Sequence, residues 1–201
     1  DNKPAFRIVN ILQGEGAVAP YSFGYLGTEP LFLTKLGVYA ITAQDITGEK
    51  YSQSRSFFLN GKLLEENGLE EAFALVYKDM YWLCLNGRAY ILDGLQATQT
   101  DRSAPYSTRQ YAGFYCTNIP ARVLWEQDGA LWFGTRERGL VRVGSDNIST
   151  AITLLPQTPA VDVRALALGR AGALLVGTAQ GLFQIDDATG ARQIRPPATE
   201  H

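Results

Sequence analysis

The chain has 201 residues, of which 46% are hydrophobic, 11% aromatic and 19% charged, and its formal net charge is −2. This composition is typical of a folded protein with one sizeable domain or two small ones, and it excludes a disordered chain. The near balance of charge gives no electrostatic reason to expect nucleic acid as a partner, and the apolar runs are too short to cross a membrane. Residues 1–12 lack the pattern of a signal peptide, which fits a mature form or a fragment of a longer chain.

The chain repeats one sequence pattern four times. The first two copies are weak, EPLFLTKLGVYAIT at 29–42 and DMYWLCLNGRAYILD at 79–93. The last two are clear, DGALWFGTRERGLVRV at 128–143 and AGALLVGTAQGLFQI at 171–185. Each copy contains a short apolar strand, a tight loop with glycine and a second short strand, which is the sequence signal of a β-hairpin.

Alignment of the copies gives spacings of 50, 50 and 43 residues between equivalent positions. The aligned apolar residues are Phe32, Trp82, Trp132 and Leu175, and the glycines that open the next strand are Gly37, Gly87, Gly139 and Gly181. Repeats of this length with short strands are typical of β-propeller blades. Gly134 and Gly177, at the end of the second strand, are expected to let a neighbouring blade pack closely.

Each copy is flanked by two further candidate strands, so that every unit has four. The preceding strands are predicted at 21–27, 72–78, 121–127 and 163–169. The following strands are predicted at 51–60, 109–119, 149–156 and 192–197. Residues 61–71, where Gly68 interrupts a run of helix formers, and the polar segment 94–108 are predicted as loops.

We therefore predict an all-β fold in which residues 1–201 form a single β-propeller-like domain. Its blade-type units, about four in number and each a four-stranded antiparallel sheet, occupy 12–60, 61–119, 120–156 and 157–201. Segment 1–11 contains the apolar run FRIVNI, which is interpreted as a strand of a preceding blade or of the closing one. Because an open ring exposes strand edges and apolar faces, the units either close on themselves or belong to a larger or shared ring.

Two resemblances to known families follow from these residues. The pattern D-G-x-L-W-x-G-T followed by G-L, within 121–186, resembles the propeller repeat of bacterial two-component regulators and implies a blade rather than a function. The segments EPLFLTKLGVYAIT, YSQSRSFFLN, NGRAYILDG and FYCTNIPARVLWEQDGALWFGT together resemble uncharacterised propeller-like proteins from prophage structural regions. This second resemblance spans most of the chain and implies a virion or tail-associated structural or attachment role.

Candidate binding residues lie at the tips between the second and third strands of each unit. In a propeller these tips share one face with the loops that join successive blades, here 12–20, 60–71, 118–121 and 156–162, and binding residues concentrate on such loops. The candidates are Lys35, Asn86, Arg136, Glu137, Arg138 and Gln180. Plain solvated tips are an equally good interpretation of the same residues.

No catalytic, metal or cofactor site is predicted. The one histidine is the terminal His201, so neither a histidine-based zinc site nor a Ser-His-Asp triad can be assembled. Cys84 and Cys116 are interpreted as buried thiols in strands, with a single disulfide as the alternative. The carboxylates are scattered over turns, and the sequence does not place two of them face to face as a glycosidase requires.

The leading hypothesis is a non-enzymatic structural or recognition module, a phage virion or tail-associated protein that mediates protein–protein or host-surface contacts. Its expected partners are other proteins, copies of itself or a cell-surface glycan, with neither nucleic acid nor membrane insertion, and its expected location is the virion. One alternative is the ligand-sensing propeller of a bacterial two-component regulator or surface protein, placed in the periplasm or outside the cell. A carbohydrate-active propeller enzyme is the third hypothesis.

Overall fold

A computed structural model of the chain describes residues 14–43, 50–99, 109–155, 161–187 and 190–194. It contains four four-stranded antiparallel sheets that follow one another along the chain, each with its strands in sequential order. The predicted all-β fold of four such units is therefore confirmed. Each sheet lies inside one of the predicted units, whereas the predicted strand at 6–11 lies outside the described residues.

We number the sheets 1 to 4 in chain order. Sheet 1 consists of β1 (Gly24–Leu26), β2 (Glu29–Thr34), β3 (Gly37–Ala43) and β4 (Lys50–Ser54). Sheet 2 consists of β5 (Phe73–Tyr77), β6 (Met80–Leu85), β7 (Arg88–Gln99) and β8 (Arg109–Thr117). Sheet 3 consists of β9 (Ala121–Gln127), β10 (Ala130–Thr135), β11 (Leu140–Val143) and β12 (Ser149–Ile152). Sheet 4 consists of β13 (Val163–Leu168), β14 (Leu174–Thr178), β15 (Gly181–Asp187) and β16 (Gly190–Ile194).

Two segments predicted as loops contain regular structure. The linker between sheets 1 and 2 forms a short helix, α1 (Asn60–Leu63), and a 3₁₀ turn at Leu69–Glu71, because Leu63 is fully buried against sheets 1 and 2. The predicted loop 94–108 was also wrong in its first part, since β7 runs through residue 99. A bulge after Asp93, where the Asp93 carboxylate accepts the Leu95 backbone N–H at 2.9 Å, lets the pairing with β8 continue.

Three apolar clusters hold the sheets together, one between each pair of successive sheets. Members from the two sides are Leu31 and Tyr81 between sheets 1 and 2, Ile91 and Phe133 between sheets 2 and 3, and Trp132 and Phe183 between sheets 3 and 4. Within the described residues no cluster joins sheet 4 to sheet 1. In the described part of the chain the four sheets thus form an arc in which sheets 1 and 4 share no apolar cluster.

Successive residues of a strand point to opposite faces of its sheet. We call the face directed at the next sheet in the chain the forward face, and the opposite one the backward face. Trp82 and Trp132 lie on forward faces, where they pack in the clusters with the following sheet. The equivalent residue of sheet 1 is Leu31, in the cluster with sheet 2.

The alignment of Phe32 with the two tryptophans was therefore wrong. Phe32 pairs with Tyr39 on the backward face of sheet 1, one residue away from the position of Leu31. The turns of sheets 1 and 2 both have two residues, but Gly37 follows its turn as the first residue of β3, whereas Gly87 is the second residue of its turn. Because side chains alternate with a period of two, a slip of one residue exchanges the faces.

A buried ion pair of sheet 1 is hydrogen-bonded to sheet 2. Arg55, which follows β4, donates from Nε and Nη2 to the two carboxylate oxygens of Glu29 at 3.0 and 2.8 Å. The hydroxyl of Tyr111, in β8, donates to the same carboxylate at 2.8 Å. The side chain of Arg55 is 1% exposed and that of Glu29 12%, so this bidentate pair is shielded from water and is held by further hydrogen bonds.

The two cysteines are free thiols on one face of sheet 2, on the strands that flank β7. Burial, with a smaller contribution from Cys116, raises the pKa of Cys84 to about 12, so its thiol is not ionised near neutral pH. The predicted buried thiol is therefore confirmed for Cys84, while Cys116 is only partly buried. In the described part of the chain no helix has the length and apolar character of a membrane span.

Gly134 tests the packing of sheet 3 on sheet 4. A Cβ at this position would lie 2.5 Å from Cγ1 of Val163 in sheet 4 and 2.5 Å from Cγ1 of Val123 in its own sheet. At the equivalent Gly177 in sheet 4, the atoms nearest to a Cβ are those of Ala165 in the same sheet, with its Cβ at 3.5 Å.

Gly134→Ala is therefore expected to lower the free energy of unfolding by about 1–3 kcal/mol in urea denaturation, since the inserted methyl overpacks the interface.

Gly177→Ala is the matched control, because it adds the same methyl group at the equivalent position, where the nearest atoms are those of Ala165 in ordinary van der Waals contact. Its effect is expected to stay within about 0.5 kcal/mol, as for surface substitutions elsewhere. Equal losses for the two variants would show that sheet 4 does not pack on Gly134 as described.

Candidate recognition cleft

A threonine closes the turn between the second and third strands in three of the four sheets. In sheet 3, Thr135 Oγ1 donates to the carbonyl oxygen of Gly139 at 2.8 Å and accepts the backbone N–H of Arg138 at 2.9 Å. The corresponding donor–acceptor pairs are Thr34–Gly37 in sheet 1 and Thr178–Gly181 in sheet 4, both at 2.9 Å. The threonine hydroxyl thus bonds backbone groups inside the turn, and the tip residues between the threonine and the glycine are exposed.

Sheet 2 closes the same turn differently. Asn86 and Gly87 have φ angles of 51° and 73°, the left-handed pair that a two-residue hairpin turn between twisted strands requires. Asparagine and glycine adopt these angles with less strain than other residues. The tip of sheet 2 is therefore shorter than that of sheet 3, and the two neighbouring tips differ in height.

A cleft of about 620 Å³ lies between the turns of sheets 2 and 3, and we call it the recognition cleft. On the side of sheet 2 it is lined by Glu71, Phe73 and Asn86. On the side of sheet 3 it is lined by Arg122 and by the tip 136–138. Loops from sheets 2 and 3 and the linkers before them thus converge at one edge of these two sheets.

The three arginine side chains of the cleft differ in the hydrogen bonds and ion pairs that they form. Arg136 and Glu137 are exposed and form no hydrogen bond or ion pair with any other residue of the described ranges. Arg138 Nη2 donates to the side-chain oxygen of Asn118 at 3.3 Å, a long contact at the surface. Arg122 is paired more firmly, with Asp162 at 2.6 Å. Arg136 is therefore the cation of the cleft with its donors available to a ligand.

Glu66 fixes the wall of the cleft on the side of sheet 2. Its carboxylate accepts hydrogen bonds from Arg88 at 2.7 Å, from the Tyr90 hydroxyl at 2.7 Å and from the Asn86 side-chain amide at 2.9 Å. Burial alone would raise the pKa of Glu66, but the hydrogen bonds from Asn86, Tyr90 and Arg88 together with the charge of Arg88 lower it below its usual range. The linker that carries Glu66 is thereby tied to the turn of sheet 2.

Asp162, like Glu66, is a carboxylate that accepts hydrogen bonds from several side chains, here between sheets 3 and 4. It accepts hydrogen bonds from Arg122 Nη1 in β9 at 2.6 Å and from Arg164 Nε in β13 at 3.0 Å. The bond from Arg122, and then that from Arg164, lowers the pKa of its carboxyl group. Asp162 therefore orients Arg122 at the edge of the cleft.

The structure brings four of the six predicted tip residues to this one cleft, namely Asn86, Arg136, Glu137 and Arg138. Lys35 and Gln180 lie in the equivalent turns of sheets 1 and 4 and do not line it. Asn86 is engaged with Glu66 and with the carbonyl oxygen of Asn67, so part of its role is structural.

The sequence did not single out the other residues that line the cleft, of which Glu71, Phe73 and Arg122 carry the chemistry of its walls. All three lie within or beside linkers 60–71 and 118–121, which the sequence had placed on the binding face. Their place in the cleft depends on how the linkers lie against the tip of the neighbouring sheet, which a single sequence does not show.

Comparisons with known proteins place the fold. No protein-family model matches the sequence, and no curated protein sequence matches it. The structure is similar to the extracellular domain of a one-component system from B. thetaiotaomicron, with a TM-score of 0.59 and 15% identity, over 94% of this chain and 23% of that chain. It is also similar to a catalytically inactive virginiamycin B lyase from Staphylococcus aureus, determined with quinupristin, with a TM-score of 0.54 and 12% identity, over 92% of this chain and 60% of that chain.

Both structures are propeller-like, so the predicted propeller-type fold is confirmed. This chain spans about a quarter of the length of the first structure and 60% of the second. At 15% and 12% identity the similarity establishes the fold and no activity. Neither structure is a phage protein, so the prophage resemblance gains no support and stays a prediction.

Glu66→Gln tests the network that holds the cleft wall. The substitution keeps the shape of the side chain but removes the charge that accepts three hydrogen bonds, so we expect a loss of about 1–3 kcal/mol in the free energy of unfolding at pH 7. Since folding lowers the pKa of Glu66 from 4.5, the contribution of its charge is fully present above about pH 4.5 and is lost as the pH falls through the folded-state pKa. The difference between wild type and variant should therefore shrink in urea denaturation below pH 4.5.

Glu65→Gln is the control one residue away. Its side chain is 68% exposed and pairs only with Lys62, which is 63% exposed, so the expected change is within about 0.5 kcal/mol at every pH. A pH-independent difference between Glu66→Gln and wild type would contradict the assignment of the charge as the stabilising feature.

Proposed function

We propose that this chain is part of a non-enzymatic recognition propeller of the extracytoplasmic sensor type, and that its recognition cleft binds a small polar ligand that carries a carboxylate. The observation that supports the proposal is the unpaired Arg136 at the mouth of a cleft of about 620 Å³, next to Arg138 and Arg122. A guanidinium group binds a carboxylate through two parallel N–H donors, and here those donors are free.

The remaining lining suits a sugar acid. Phe73, Leu85 and Ala121 provide an apolar strip on which the less polar face of a sugar ring can lie. Glu71, Asn86 and Glu137 provide acceptors and donors for hydroxyl groups. The volume of the cleft lies within the range of small-molecule sites, about 300–1,000 Å³.

The placement in an extracytoplasmic sensor is supported by the first structural comparison, which is with the extracellular domain of a one-component regulatory system. It corresponds to the second of the hypotheses drawn from the sequence, not to the leading one. The virion hypothesis stays a prediction, since no observation on this structure favours it. We propose binding without turnover, so a bound ligand is expected to be released chemically unchanged.

The ligand class is tested with a pair of probes, galacturonic acid oligosaccharides and their methyl esters, in which the carboxylate is free or blocked by a methyl group. Isothermal titration calorimetry is expected to detect binding of the acid and a loss of at least tenfold in affinity for the ester, because the ester has no negative charge and does not offer two equivalent oxygens to the N–H donors of Arg136. Analysis of the probe after incubation by mass spectrometry tests the absence of turnover. Equal affinity for acid and ester would contradict a carboxylate ligand, and cleavage of the probe would contradict a non-enzymatic role.

The site is tested with Arg136→Ala and the matched control Lys35→Ala. Both remove one exposed cation from the turn between the second and third strands, but only Arg136 lines the cleft. We expect the affinity for the acid probe to fall by about tenfold or more for Arg136→Ala and by less than twofold for Lys35→Ala. Similar losses in both variants would show that binding depends on net charge and not on the recognition cleft.

A further inference from the structure

The recognition cleft has walls of opposite charge. Three arginines line it on the side of sheet 3, namely Arg122, Arg136 and Arg138. On the side of sheet 2 it is lined by Glu71, which lies at the end of linker 60–71, a segment with four glutamates and one lysine. A ligand that fills the cleft therefore contacts cations on one side and an acidic wall on the other.

Glu71 is the carboxylate of the acidic wall that is available to a ligand. Glu66, in the same linker, already accepts hydrogen bonds from the side chains of Arg88, Tyr90 and Asn86. Glu71 is exposed, and within the described part of the chain its side chain forms no hydrogen bond or ion pair. A ligand cation can therefore bind this carboxylate without breaking a contact inside the protein.

Packing of the neighbouring residues fixes the backbone at Glu71. This residue ends the 3₁₀ turn Leu69–Glu71, and its N–H donates to the carbonyl oxygen of Gly68 at 3.0 Å. Ala72, the next residue, is fully buried, and Leu69 packs against the apolar cluster between sheets 1 and 2. The backbone that carries Glu71 is therefore anchored, and its carboxylate remains at the wall formed by sheet 2.

The charges of the two walls are not paired with each other. Within the described ranges neither Glu71 nor Arg136 takes part in an ion pair, although both line the cleft. Glu137, the other unpaired carboxylate of the lining, belongs to the tip that also carries Arg136 and Arg138, whose positive charges offset its own. The cleft thus offers a ligand an unpaired cation on one wall and an unpaired anion on the other.

We propose, resting on the carboxylate ligand of the proposed function, that this ligand is a sugar acid with a free amino group. Its ammonium group is bound by Glu71 and its carboxylate by Arg136. A ligand hydroxyl would donate one hydrogen bond to Glu71 but would leave the charge of the carboxylate uncompensated. An ammonium group supplies three donors and the opposite charge, and charge-assisted hydrogen bonds are the stronger ones.

The ammonium group is tested with probes that share the carboxylate on C5 of a pyranose ring and differ at C2, the ring position opposite to it. Galacturonic acid carries a hydroxyl at C2, 2-amino-2-deoxygalacturonic acid an amine, and the N-acetyl derivative of the latter a neutral amide. Isothermal titration calorimetry is made at about pH 6.5, where an amine with a pKa of about 7.7–8.0 is protonated. We expect the amino form to bind about tenfold more tightly than either of the other two.

The outcomes separate this inference from the proposed function. If the amino and hydroxyl forms bind with equal affinity, the ammonium group is wrong and the carboxylate ligand stands. If the N-acetyl form binds as tightly as the amino form, the positive charge is not what the cleft recognises. Binding of none of these probes overturns the inference as well, and the acid and ester oligosaccharides then decide separately whether a carboxylate is bound.

The residue is tested with Glu71→Gln and the matched control Glu70→Gln. Both remove one exposed carboxylate charge from the same 3₁₀ turn, but only Glu71 lines the cleft. We expect Glu71→Gln to abolish the preference for the amino form and to change the affinity for galacturonic acid by less than about twofold, whereas Glu70→Gln keeps the preference. Retention of the preference in Glu71→Gln, or its loss in both variants, would show that Glu71 does not bind the ammonium group. An equal loss of affinity for the amino and hydroxyl forms in Glu71→Gln would overturn the assignment in the same way.

Discussion

The architecture depends on one constraint, which is that every sheet of this protein is apolar on both faces. In sheet 2, Tyr81 and Leu83 pack towards sheet 1, whereas Cys84 and Ile91 pack towards sheet 3. A four-stranded sheet with two apolar faces cannot be covered by its own loops, so it is stable only between neighbours. Stability in such an array is carried by contacts between adjacent units.

Polar side chains at the sheet boundaries restrict the position of one sheet relative to the next, which apolar packing alone does not. Glu29, Arg55 and Tyr111 join sheets 1 and 2 through hydrogen bonds that exist in only one relative position of the sheets. Asp162 bridges Arg122 and Arg164 across sheets 3 and 4 at the surface. A buried ion pair contributes little net stability compared with an apolar contact, but a displaced sheet 2 would take the Tyr111 hydroxyl away from the buried Glu29 carboxylate. These groups therefore favour one register over others of similar apolar contact.

The sequence predicted the strands because alternation and turn glycines are local signals, and each unit repeats them. It failed where the outcome depends on more than one unit. The face on which Phe32 lies depends on whether the glycine follows the two-residue turn, as Gly37 does, or lies within it, as Gly87 does. The helix at Asn60–Leu63 depends on burial of Leu63 between two sheets. The cleft forms where Arg122 and the tip 136–138 meet Glu71 and Phe73 of another unit, and no pattern within a single repeat contains that contact.

The threonine-closed turns have a consequence for how such a protein can change. The hydroxyl of Thr34 reaches a glycine three residues ahead, as does that of Thr178, while that of Thr135 reaches one four residues ahead. The same closure therefore accommodates tips of different length while the strands on either side keep their pairing. Insertions and substitutions between the threonine and the glycine therefore leave the pairing of the adjacent strands unchanged. Specificity can diverge at these points, by evolution or by loop grafting, without a compensating change in the sheets.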